Sequence, residues 1–173
     1  MSIPAPSFEQ AMEITAQWLN LWEAGELSDE VLADRIGELV ASRDGARGFF
    51  VITLAGESPL LDRLPDPLVI KLRAGGASIV DLTVRNLAMS TAMAVEHQRR
   101  QDEQQQAGSV RVTARCTELL RLLQPESVKT RLEQLLEAVD HNRGKDVNFL
   151  ERWGYDADQR KAIGESIVAI AER

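Results

Sequence analysis

The chain has 173 residues, 44% of them apolar, and a single domain of that size hides about 70% of its unfolded surface without a disulfide or metal staple. Twenty Lys and Arg stand against 27 Asp and Glu, a formal charge of -7 with a pI near 4.9, which excludes a polyanion binder that relies on a broad basic surface. The uncharged stretches 48–56 and 86–95 fall well short of the roughly 20 apolar residues that span a bilayer, so no membrane insertion is expected.

The first predicted helix starts at the cap Ser7, with Gln10 three residues on completing a capping-box pattern, and closes at Gly25. Phe8, Met12, Leu19 and Trp22 form one apolar stripe, and Ile14, Trp18 and Leu21 a second. Two stripes are more than one neighbour covers, so this helix is either sandwiched or partly an interface. A second helix is expected from Ser28, with Asp29 and Glu30 in its first turn and Val31, Leu32, Ile36, Leu39 and Val40 facing inward, until Asp44 and Gly45 end it.

Residues 49–54 read Phe-Phe-Val-Ile-Thr-Leu, a run whose period does not separate strand from buried helix. As strand it would join 68–70 and 79–82 in a small three-stranded meander and give an α+β fold. The helical reading is preferred, because 79–82 flows without a breaker into a long helical pattern and so removes a partner strand. The segment 57–67, with Pro59, Pro65 and Pro67, is expected to be a loop carrying one helical turn at 60–63.

Residues 77–106 are predicted as one spine helix of about 45 Å, stopped by Gly108. Its faces carry Ile79, Leu82, Met89 and Met93, then Val80, Val84, Leu87 and Val95, then the small Ala88 and Ala92 that admit a neighbour closely. Further helices are expected from the cap Ser109, from Pro125 to Gly144, over 145–153 with Trp153 buried, and from the capping pair Asp156 and Gln159. The expected fold is therefore all-α, one domain over 1–173, a compact bundle of seven or eight helices around one long central helix.

The catalytic inventory is thin. His97 and His141 stand 44 residues apart outside any His-Glu-x-x-His pattern, and no phosphate-loop, dinucleotide or nucleophile-elbow signature occurs. No catalytic residue, metal site or cofactor is assigned. The lone Cys116 sits on an apolar stripe with Val112 and Leu119, as an inert core residue does, and cannot form an intramolecular disulfide. Residues 1–6 lack the charged and apolar regions of a secretory signal, so a reducing cytoplasm is the expected compartment.

Asn86, Ser90, His97 and Arg100 share one face of the predicted spine within about 80°. Buried polar groups need partners, so these four either bond across to a neighbouring helix or line a ligand cavity. Arg99, Arg100, Arg111 and Arg115 lie among Glu96, Asp102, Glu103 and Glu118, a mixed-charge surface more than a nucleic-acid site.

The stretch Asp81-Leu82-Thr83-Val84-Arg85-Asn86-Leu87-Ala88-Met89-Ser90-Thr91-Ala92-Met93-Ala94, with Glu96-His97-Gln98-Arg99-Arg100, resembles a family of small uncharacterised all-helical cytoplasmic proteins from cyanobacteria. So do 45–51, Gly-Ala-Arg-Gly-Phe-Phe-Val, and 149–156, Phe-Leu-Glu-Arg-Trp-Gly-Tyr-Asp. The resemblance implies an all-α fold, and it brings no activity, catalytic residue or cofactor. The functional expectation is a non-enzymatic interaction or assembly protein, self-associating or binding a protein partner, with Trp18 and Leu21 at the interface. The alternative is a small-ligand-binding protein or enzyme that uses the Asn86, Ser90, His97 and Arg100 face.

Overall fold

A computed structural model of the chain describes residues 4–171. Among them are nine helices and no strand, so the fold is all-α and the meander at 49–82 does not form. The helices group into two compact units, one up to Leu82 and one from Thr83 onward.

The first unit opens with α1 (Phe8–Glu23), whose Ser7 cap accepts from the Gln10 N–H while the Gln10 side chain accepts from the Ser7 N–H. This reciprocal pair satisfies two otherwise orphaned donors and fixes where the helix starts. Helix α2 (Asp29–Leu39) follows from its Ser28 cap. It ends at Leu39, earlier than the sequence suggested, because Ser42 caps the next helix and takes Asp44 and Gly45 into its first turn.

Helix α3 (Arg43–Ala55) contains the ambiguous apolar run. Phe49, Phe50, Thr53 and Leu54 are buried while Val51 is 46% exposed, a 3.6-residue rhythm that five or six residues of sequence are too short to display. Thr53 Oγ1 donates back to the Phe49 carbonyl at 2.9 Å, so its buried hydroxyl is satisfied inside the helix. α1 packs on α3, and Gly48 is the point of closest approach: a Cβ there would meet Ala11 Cβ at 2.5 Å and the Phe8 carbonyl oxygen at 2.9 Å.

After the turn at 60–63, closed by the Asp62 and Arg63 N–H groups on the Pro59 carbonyl, α4 (Asp66–Ala74) packs against α2. The sequence predicts no helix over this segment, where 68–70 reads as a candidate strand. Pro65 at the cap and Pro67 in the first turn start α4, since a proline there forfeits only N–H groups that lack intrahelical partners. Lys71 reaches Asp34 of α2 at 3.2 Å.

Helix α5 (Gly76–Arg99) carries the chain across the boundary at Leu82. It is shorter than the predicted spine. Gln101 adopts a left-handed φ of 58°, the Asp102 N–H bonds the His97 carbonyl at 2.9 Å and the Gln101 N–H the Gln98 carbonyl at 3.0 Å, the bond pair of a Schellman stop. Asp102 then caps α6 (Glu103–Leu122). Gly108 and Ser109, expected to stop one helix and cap the next, lie inside α6.

The second unit continues with α7 (Pro125–His141), α8 (Val147–Arg152) and α9 (Ala157–Ala171). α9 packs on both α6 and α7, and α8 on α7. Its core holds Cys116, Leu119, Leu120, Leu123, Leu135, Leu150 and Ile163. Polar groups cross between its helices: Ser90 to Thr113 at 2.7 Å, Thr91 to Ser166 at 3.1 Å, and the Gln159 amide to the Ala92 carbonyl at 3.2 Å. Trp153, expected in the core, is 53% exposed, because α8 ends one residue before it and Gly154 turns the chain with φ 65°.

Candidate interaction groove

A groove of about 730 Å3 opens in the first unit between α1 and the end of α2. The capping box sets the phase of α1, so Ala11, Thr15 and Leu19 turn inward while Glu13, Ile14, Gln17 and Trp18 line the groove. Arg35, Glu38 and Leu39 of α2 form the opposite wall, Ala41 and Ser42 the turn, and Pro4, Ala5 and Pro6 one end. Trp18 is half-buried and lines the groove. Leu21, its partner in the sequence reading, is 39% exposed and lies outside the lining.

The groove's polar groups are partly committed to holding the fold. Gln10 Oε1 accepts from the Ser7 N–H and Ser42 Oγ from the Gly45 N–H, which leaves Glu13, Glu38, Arg35 and Gln17 around Ile14, Trp18, Leu39 and the prolines. The lining therefore mixes apolar side chains, Ile14, Trp18, Leu39 and the prolines, with the charged Glu13, Arg35 and Glu38.

The four polar residues of the predicted spine face, three on α5 and Arg100 just beyond its end, are dispersed in role. Ser90 is buried and its hydroxyl lies 2.7 Å from Thr113 Oγ1 and 3.2 Å from the Leu87 carbonyl. Asn86 is half-buried. His97 is half-buried, and its carbonyl receives the Schellman bond that ends the helix. Arg100 is exposed, its Nε 2.9 Å from Glu96 Oε1. A shallower groove of about 360 Å3 in the second unit is lined by the neighbouring face, including Thr91, Ala94, Val95 and Val110.

The arginines at the end of α5 and along α6 are engaged or buried. Arg99 makes a two-pronged contact with Asp156 at 2.7 and 3.0 Å, and its pKa is raised, first by that hydrogen bond. Asp156 is in turn held down to about 2, first by Arg99 and then by the Gln159 N–H. Arg115 is 3% exposed. Burial pushes the Cys116 thiol up to about 12, which disfavours the thiolate at neutral pH. Among the described residues no group of three or more His, Cys, Asp or Glu side chains is placed to hold a metal ion, and no helix is long and apolar enough to cross a membrane.

These features define an all-α protein with a largely apolar groove on one of its two units and a free, buried cysteine in the other. Over residues 7–170 the chain matches the family described as uncharacterised conserved protein UCP020893, and it belongs to that family. No curated protein and no solved structure gives a significant match.

Proposed function

We propose that this protein is a non-enzymatic interaction protein whose first unit receives an apolar segment of a protein partner in the groove beside Trp18. The observation that carries the reading is the groove itself, about 730 Å3 with a half-buried tryptophan and Ile14 presented from one face of a firmly capped helix. Large aromatic side chains that line an apolar groove are what partner side chains pack against. The alternative, a ligand site on the Asn86, Ser90, His97 and Arg100 face, has less support, because Ser90 is bonded to its neighbours and Arg100 to Glu96. The cytoplasm of a cyanobacterium is the proposed setting, on the sequence resemblance and on the buried, unpaired Cys116 that suits a reducing compartment.

The test is quantitative affinity capture from the native lysate with the wild-type chain and with Trp18→Glu, both shown folded by circular dichroism. Loss of a specific set of proteins from the variant supports the reading. Identical captured sets sink it.

A further inference from the structure

The two units differ sharply in charge. The first holds thirteen Asp and Glu against six Lys and Arg, while the second holds fourteen of each, so the whole net charge of -7 lies on the unit that carries the groove. No Lys or Arg precedes Arg35, so α1, which supplies Glu13, Ile14, Gln17 and Trp18 to the groove, has acidic residues and no basic one. At the groove, α1 contributes Glu13 and α2 Glu38, with Arg35 the single cation among the described lining residues.

Resting on the groove reading above, we infer that the occupant is a basic amphipathic segment, apolar on the side that enters beside Trp18 and bearing Lys or Arg on the flanks that meet Glu13 and Glu38. An apolar stripe flanked by cations matches the apolar lining and its two carboxylates, and the field of the whole unit would speed its encounter. Two other occupants fit worse. A second copy docking through the same groove places this acidic face against itself, since a two-fold interface brings identical patches together. An anionic lipid surface is repelled by the same field.

The probes are two synthetic peptides of about 15 residues, four helical turns, with the same leucine stripe and either lysine or glutamate on the polar face. Binding is read by calorimetry on the full chain at low and moderate salt. The expected result is that the Leu/Lys peptide binds at least about tenfold more tightly than the Leu/Glu peptide and weakens as salt rises. Glu13→Gln with Glu38→Gln should lower its affinity several-fold, and Trp18→Glu should abolish binding despite adding negative charge.

Equal or tighter binding of the Leu/Glu peptide overturns the charge inference and leaves the groove reading standing. Leu/Lys binding untouched by Trp18→Glu shows diffuse counter-charge attraction and also overturns it. A dimer in light scattering that Trp18→Glu dissolves makes the second copy the occupant, with the same consequence. Unchanged lysate capture by Trp18→Glu removes the groove reading itself.

Discussion

Arg131 on α7 grips Asp146, the residue that precedes α8, with both terminal guanidinium nitrogens, at 2.6 and 2.8 Å. The side chains are only 6% and 2% exposed, so the pair fixes the α7–α8 turn inside the second unit, away from water. Its net contribution to stability is small, because desolvating both charges offsets most of their attraction, whereas removing one partner strands the other.

Asp146→Ala should therefore destabilise the protein by about 3–5 kcal/mol, measured by urea unfolding. Replacing both partners, Arg131→Met with Asp146→Leu, should recover most of that loss. Equal losses in the single and double variants would show that the turn needs the ion pair itself.

Acid should loosen the anchoring of α9. Asp156 both caps α9, accepting from the Gln159 N–H, and pairs with Arg99. Its folded pKa of about 2 lies below the unfolded value near 4, so its stabilisation is complete above about pH 4 and disappears as pH falls towards 2. Urea midpoints should fall across that window, and Asp156→Asn should flatten the fall; an unaltered pH profile in the variant would refute the assignment.

Gly48 admits α1 to α3 so closely that a Cβ would strike Ala11 and the Phe8 carbonyl. Gly48→Ala should cost about 1–3 kcal/mol through forced separation of the two helices, although alanine favours a helix over glycine. Gly108 is the opposite case, inside α6 with nothing within 4 Å of an added Cβ. Gly108→Ala should stabilise by about 0.5–1 kcal/mol. Thermal melts of the two variants should move in opposite directions.

Cys116 should be silent in the native protein. With its thiol pushed up to about 12 and no exposed surface, a thiol-exchange reagent at pH 8 should react only as fast as the chain opens, and fully in guanidinium. Rapid native-state labelling would mean that α6 is not packed as described.

The Gln101 and Gly108 region shows why one boundary was hidden in the sequence. Helices most often stop at glycine, and the pattern offered Gly108 as the stop and Ser109 as the next cap. The chain instead stops at Gln101, a residue that resists positive φ, because Asp102 caps α6 and the Schellman bonds close α5. Local propensity favours the other choice by a few tenths to about 1 kcal/mol, a margin that packing of the following helix easily reverses.

The preferred all-α class, the Ser7 and Ser28 caps, the Pro125 start and the burial of Cys116 were legible in the sequence, because each rests mainly on residues within one or two helical turns. It also placed Trp18 on the second face of α1, and Trp18 lines the groove. Only the tertiary structure decided that α2 and the turn at Ala41 and Ser42 form the groove's other wall, that Leu21 lies outside it, and that Trp153 is exposed. Those outcomes depend on which helix meets which face, and an amphipathic pattern states how much surface must be covered without stating by what.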